Sequence, residues 1–380
     1  MWHVIGMLTF HWADDYGALL QCYALKTHLS QYEETIVIPY SPKALYSRYS
    51  LVRCPRYLRL AGRVWSVLDS LRPGRFCSRW LAKRRIAQFR AQHLTSDRRR
   101  LLSAQEIAAY RREIHTYLVG SDQVWNPDIT EGFQDGYFCT FRAQLPEGVR
   151  CVAYAASTGQ ERLDTSCDAA LTEYLKNFDV ISIREQGAVP YLESLCGVRP
   201  KVVLDPVFLL GKQEWERLLP ARERPKERYI AVYDTEYSEE MALCLKNLRK
   251  KLGLPVVVVL HPMMERYCWG ADRYAAGCGV KEFLALMHGA EYVVTNSFHG
   301  AAMSLILHKQ FVAFRLRKRN ARIENILQIA GQAARFVRTA QEGERMLMEP
   351  VNWTEADALL ETERMRAKAF LREHVLANGG

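Results

Sequence analysis

The side chains best suited to chemistry stand where short β-branched runs end. In "VVTNSFHGAAMSLI", Asn296, Ser297 and His299 follow the run "EYVV" and lead into a helix that opens with Gly300, Ala301 and Ala302. Ligands of an open parallel sheet sit beyond the carboxyl ends of its strands. A helix N-terminus there offers free N–H groups and the positive end of a dipole, and small residues allow close approach, so a phosphate suits the place. A lone histidine is otherwise a helix cap or a satisfied core residue, but the small neighbours and the strand-end position favour function. In "ISIREQGAVPYL" a strand from Val180 to Ile183 delivers Arg184 and Glu185. Arg184 can grip a carboxylate or phosphate through a bidentate fork, or pair with the adjacent helix. In "YLVGSDQVWNP" a strand leads to Gly120, Ser121 and Asp122, then Gln123, Trp125 and Asn126. Asp122 suits a general base, a sugar-hydroxyl acceptor or a turn. "VVLDPV" places Asp205 at another strand end, where Pro206 makes a structural turn the more economical account.

The elements that must position these residues recur in order. Strand-like runs "HVIGMLTF", "TIVIPY", "HTYLVGSD", "CVAYAAS", "DVISIRE" and "KVVLDPV" alternate with helical stretches, as buried parallel strands with crossover helices do. A charged stretch with two prolines, 220–228, reads as a linker, and the alternation resumes with "YIAVYD", "PVVVVLHP", "EYVVTNS" and "QFVAFRL". The expected fold is therefore α/β, with two Rossmann-like domains facing across a cleft: 1–219, 220–350, then a long C-terminal helix within 351–380. Thr354 and Asp357 form the pattern of a capping box for that helix, which is expected to cross back to the first domain.

The 380 residues suffice for two large cores; 49% are hydrophobic and 25% charged, which excludes a disordered or fibrous chain. The N-terminus lacks a signal-peptide pattern and no apolar run reaches a membrane span, so the expected location is the cytoplasm. Ten cysteines form no CxxC pair, which implies reduced thiols and neither a zinc cage nor a disulfide framework. No metal is expected, since no His and carboxylate cluster shows ligand spacing. The net charge of +10 is concentrated: from Arg53 to Arg100 fourteen Lys and Arg face two acids. Tyr57, Leu60, Val64, Trp65, Leu68, Leu71 and Trp80 are interleaved with them. That excursion, about 45–100, suits either a helix with a solvated basic face or a surface that touches anionic membrane. Nucleic acid ranks last, because no helix-turn-helix, zinc finger or RNP motif accompanies the charge.

Taken in order, "GMLTFHWADDYGALLQCYAL", "GSDQVWNP", "ISIREQ", "VLDPVFLL", "KEFLALMHGAEYVVTNSFHGAAMSLI" and "ARIENIL" resemble the polysaccharide pyruvyl transferase family over about three hundred residues. The resemblance implies a GT-B-like fold and transfer of a pyruvyl group from phosphoenolpyruvate to a sugar as a cyclic ketal, with no further cofactor. It implies active-site positions at His299 and Arg184. Two residues depart from the family pattern: Asp15 stands where Asn is frequent before Tyr16 and Gly17, and Ala321 where Ser is common before Arg322.

Phosphoenolpyruvate carries a phosphate and a carboxylate on a small enol, so its site needs several cations or N–H dipoles in a confined space. Arg184, the helix end after His299, and Arg315, Arg317 or Arg322 can supply them. The methylene carbon needs a proton, and a histidine whose pKa a neighbouring phosphate raises is a natural donor. The expected roles are His299 as general acid, Arg184 as clamp and Asp122 as base or acceptor anchor. Substrate contacts are expected from Ser297, Asn296, Gly300, Arg315, Arg322, Asp15, Tyr16, Gly17, Ser121, Gln123 and Trp125. The expected acceptor is a saccharide, with a lipid-linked intermediate attractive given the basic aromatic stretch. A nucleotide-sugar glycosyltransferase and a non-catalytic membrane- or polymer-binding scaffold are the rival readings.

Overall fold

Residues 4–42, 45, 49–52, 66–111, 113–219, 227–262, 270–318 and 320–376 are described in a computed structural model of the chain. The first sheet contains β1 (Val4–Leu8), β2 (Glu34–Val37), β3 (Ile114–Val119), β4 (Arg150–Ala156), β5 (Val180–Ile183) and β6 (Lys201–Val202), in the order β2-β1-β3-β4-β5-β6. The second contains β7 (Ile230–Tyr233), β8 (Val256–Val259), β9 (Arg273–Ala275), β10 (Tyr292–Thr295), β11 (Gln310–Phe314) and β12 (Phe336–Val337), in the order β12-β11-β10-β7-β8-β9. All pairings are parallel. Helices cover the sheets, which is why β1, β7 and β8 are buried at every residue and read as unbroken apolar runs.

Each order reverses once, between β1 and β3 in the first sheet and between β7 and β10 in the second. Crevices form at such switch points because the crossovers on either side run to opposite faces. Leu8, Val119 and Thr295 therefore hand the chain to loops at two facing crevices.

The run "KVVLDPV" yields only the two-residue β6, because Asp205 accepts from Val207 N and Pro206 opens a 3-10 turn, Pro206–Leu209. β9 and β12 are edge strands of three and two residues, too short to leave a periodic signature. The C-terminal helix is Trp353–His374, and its cap is Asn352, which accepts from Glu355 N, in place of the expected Thr354 and Asp357. It returns to the first sheet: Thr116 Oγ1 and Arg150 Nη2 donate to Val375 O, and Arg364 Nε donates to Phe208 O at 2.6 Å. Of the charged stretch 220–228, only Glu227 and Arg228 lie within the described residues.

Tyr57, Leu60, Val64 and Trp65 lie outside the described residues, but the remainder of the basic stretch contains the helix Pro73–Phe89, which starts with its proline at a favoured position. Its charges are largely engaged inside the molecule, which departs from a freely solvated basic face. Lys83 Nζ donates to Asp14 Oδ2 at 2.6 Å, and Arg90, just past the helix, donates to Asp14 Oδ1 and to the carbonyls of His11 and Trp12. Arg85 reaches the other half, donating to Gly277 O at 3.0 Å and pairing with Glu282. Arg75 pairs with Asp69, and buried Arg79 donates to Ser70 Oγ. Arg84 lies over Trp80, which is exposed, as are Leu68 and Leu71.

Asp14 is 2% exposed and balances two cations, so its removal leaves both without their counter-charge. Asp14→Ala should lower the unfolding free energy by about 2 kcal/mol, seen as a lower urea midpoint with an unchanged slope.

Candidate active site

The first half contributes a fixed cation. Arg184 follows β5 and is 3% exposed. Its Nη1 donates to Asp205 and, at 3.4 Å, to Ser121 Oγ, which itself donates to Asp205 Oδ2 at 3.1 Å. Asp205 is thus both the turn-maker expected beside Pro206 and the anchor of Arg184. Burial pushes its carboxyl up, but Arg184 and then His299 outweigh this and hold it below the ordinary carboxylate value. Arg184 Nε stands 3.6 Å from Glu185 Oε1, which accepts from Ser157 Oγ. Among the described residues, Arg184 Nε and Nη2 and Glu185 Oε2 are buried without a hydrogen-bond partner. Such atoms are costly to bury and mark a place built to receive polar groups.

The second half brings the imidazole. Ser297 caps the helix Phe298–Ile306, accepting from Gly300 N, and His299 is the helix's second residue. The His299 ring stands edge-on to Phe298 at 5.0 Å. The Phe298 ring also carries two guanidiniums, Arg184 at 4.9 Å from the first half and Arg322 at 5.8 Å from the helix Ala321–Ile329. Asn325 of that helix donates to Arg184 O at 3.2 Å. Two cations and an imidazole thus gather around one aromatic ring. Burial pushes His299 below the ordinary imidazole value, against the pull of Asp205, Asp122 and Asp15. Burial and next the Arg184 charge push Arg322 down to about 10, so it stays protonated at neutral pH. His299 Nε2 and Arg322 Nε have no hydrogen-bond partner among the described residues.

Two glycines permit the approach. A Cβ on Gly17 would lie 2.0 Å from His299 Nδ1, so the first helix, Tyr16–Leu29, can touch the imidazole only with glycine there. A Cβ on Gly300 would lie 2.2 Å from Thr295 Oγ1, so glycine lets the helix start tightly on β10. Asp15 caps the first helix at Ala18 N, and its other oxygen meets His261 Nε2, from the end of β8, at 2.9 Å. Burial pushes the Asp15 carboxyl up, but the His261 contact outweighs it and leaves the group far below the ordinary range.

The remaining expected contacts fall in several places. Asp122 has φ +83°, a strained conformation for a side chain other than glycine, and its Oδ1 accepts from Gln123 N. Its charge acts on Arg184, His299 and Arg322. Gln123 accepts from Asn126 Nδ2 at 2.7 Å and holds its own loop. Trp125 is fully buried, its indole N–H given to Tyr137 O and its ring stacked on Phe138, so it lies in the core. Tyr16 is buried in the seam between the halves: its hydroxyl lies 3.0 Å from Leu260 O and 3.1 Å from Cys278 O, and its ring stacks on Phe283. Asn296 accepts from Thr235 N and donates to Glu236 O, tying the loop after β7 to the end of β10. Arg315 pairs with Glu324 and lies over Phe336, not Phe298, while Arg317 N donates to Glu236. Sequence reasoning passed over His261 and Phe298. The signal for His261 was its position after four valines, at a strand's carboxyl end.

Arg184 and His299 are 3% and 8% exposed, and two clefts lie away from them. One of about 510 Å³ runs between β6 and the C-terminal helix, another of about 450 Å³ beside His308 and Asp357. The chemistry-bearing atoms sit in the seam between the halves. Among the described residues no group of His, Cys, Asp and Glu could hold a metal ion, no helix is long and apolar enough to cross a membrane, and the cysteines are free thiols.

The family model described as polysaccharide pyruvyl transferase matches residues 15–316. No curated protein matches the chain by sequence. Among solved structures it is similar to the UDP-GlcNAc 2-epimerase of Methanocaldococcus jannaschii in complex with UDP-GlcNAc and UDP, with 10% identity over 95% of this chain and 99% of that chain and a TM-score of 0.51. It is also similar to S. aureus MnaA in its UDP co-structure, with 12% identity over 99% of this chain and 97% of that chain and a TM-score of 0.52. At such identities the likeness is one of fold, and the paired parallel sheets are GT-B-like.

Gly17→Ala tests the contact that seats the imidazole. It should cost about 1–3 kcal/mol through overpacking and shift the His299 ring resonances in a ¹H–¹⁵N spectrum. Asp15→Asn should lower the His299 titration midpoint in the same experiment, because the carboxylate charge raises it.

Proposed function

The chain belongs to the polysaccharide pyruvyl transferase family, and from that premise we propose that it moves a pyruvyl group from phosphoenolpyruvate to a sugar of a polysaccharide or its lipid-linked precursor, closing a cyclic ketal and releasing phosphate. The observation that carries the reading is the grouping of Arg184, Arg322 and His299 around Phe298, with buried nitrogens left to be satisfied. A small enol bearing a phosphate and a carboxylate supplies acceptors for each of them. Arg184, fixed by Asp205, clamps its phosphate or carboxylate, and Arg322 with the N-terminus of the Phe298 helix receives the rest of the charge. His299 delivers a proton to the methylene carbon, and Asp122 anchors the acceptor hydroxyls.

The first half, to 219, is assigned to the acceptor but lends Arg184 to the donor, and 220–350 is assigned to phosphoenolpyruvate. Exposed Leu68, Leu71 and Trp80, with Arg84 over Trp80, support contact with an anionic membrane where a lipid-linked acceptor would lie. The nucleotide-sugar reading rests on fold alone. Thermal shift separates the two: phosphoenolpyruvate should stabilise the protein, and UDP- or GDP-sugars should not.

Incubation with phosphoenolpyruvate and a panel of sugars, read by mass spectrometry, tests the reaction itself. His299→Gln should lower transfer by about 10²–10⁴-fold with the fold intact. His299 is neutral in the free protein at pH 7.5, since its pKa lies below the ordinary value, and a phosphate beside it raises that pKa. Donor binding should therefore take up a proton. Calorimetry in buffers of different ionisation enthalpy should detect the uptake in the wild type and lose it in His299→Gln.

A further inference from the structure

We propose that Glu185 is the proton carrier of the ketal-forming steps, an inference that rests on the pyruvyl-transfer reading. Four carboxylates act on the cluster: two have both oxygens engaged, and a third, Asp122, is already assigned to the acceptor hydroxyls. Asp205 gives one oxygen to Val207 N and the other to Arg184 and Ser121. Asp15 is divided between Ala18 N and His261. Asp122 turns Oδ1 onto its own neighbour's N–H. Glu185 is 1% exposed; Ser157 Oγ holds its Oε1, while Oε2 is buried with no hydrogen-bond partner among the described residues.

An unused carboxylate oxygen in a dry place is expensive, and a side chain kept only for its Ser157 bond would need no charge. Its place is not that of a core accident. Arg184 Nε is 3.6 Å from Oε1, so the carboxylate stands beside one cation assigned to the donor, and its charge acts on the other, Arg322.

The reaction needs such a group twice. When His299 protonates the methylene carbon, C2 becomes oxocarbenium-like and the first sugar hydroxyl adds to it. The C2–O bond forms as Glu185 Oε2 takes the hydroxyl proton. In the second stage the C2–O bond to phosphate breaks, the bonding pair leaves with the phosphate, and Glu185 returns its proton to that oxygen. The second hydroxyl then adds to C2, and its proton restores His299. The sum is one CH₂ turned to CH₃, two C–O bonds to sugar, and one hydrogen phosphate. A carboxylate that is base and then acid serves this sequence without a net proton from solvent.

Glu185→Gln keeps the length of the side chain and an acceptor for Ser157 but cannot carry a proton. The variant should show the wild-type thermal shift with phosphoenolpyruvate, while transfer falls by about 10²–10⁴-fold. Glu185→Asp, which can still carry a proton, should transfer at least tenfold faster than Glu185→Gln, and formate should raise the activity of Glu185→Ala at least tenfold; a structural role predicts neither. Transfer by Glu185→Gln within about tenfold of the wild type, or no formate rescue of Glu185→Ala, would overturn the carrier while leaving the transferase reading intact. Absence of any ketal from the wild-type protein across the sugar panel would overturn both.

Discussion

The site depends on a guanidinium that cannot move. Arg184 is buried, and Asp205 and Ser121 fix one of its terminal nitrogens, so the remaining donors point in a direction set by the end of β5 and the turn at Pro206. A buried cation hydrogen-bonded to a single carboxylate still has donors to satisfy, and desolvation makes each of them strongly attracted to an anion. The Phe298 ring covers one face of that guanidinium, which ties the position of the second half to that of the first. Arg322 over the same ring adds a second cation, whose pKa burial and next the Arg184 charge push down, and a bound anion would offset both.

The halves meet through backbone as much as through side chains. Gly17 brings the start of the first helix against His299, and the Tyr16 hydroxyl ends on two carbonyls of the second half. The basic helix adds a strap, with Lys83 on Asp14 at one side and Arg85 on Gly277 and Glu282 at the other. Because Asp14 and Asp15 are adjacent, the strap holds the loop that carries the cap of the first helix. The charge of this stretch thereby acts on the geometry of the site as well as on the surface.

Much of this was legible in the amino-acid order. β10 and β5 were readable as β-branched runs, and their ends placed His299 and Arg184 at a crevice, because parallel strands deliver side chains there whatever the ligand. The family motifs then connected the two. Trp125 and Tyr16 were misleading because proximity to a motif does not reveal which way a side chain turns; one belongs to the core and the other to the seam. The strap was illegible for a different reason. Lys83 and Asp14 are separated by 69 residues, and Arg85 and Gly277 by 192, so a local charge count registers only the basic side of each contact. β6 was over-read because its proline shortens the strand after Val202, and β9 and β12 are too brief for any period to show.

The seam in which His299 and Arg184 lie has a consequence for fidelity. An activated pyruvyl centre is open to capture by any nucleophile nearby, and the most abundant is bulk solvent at roughly 55 M. If the reacting groups face each other only after the two halves have met, the donor is activated once the acceptor already occupies the remaining space, which suppresses wasteful hydrolysis. The two carbonyl contacts of Tyr16 would then act as a timing element, separating arrival of the substrates from commitment to bond making.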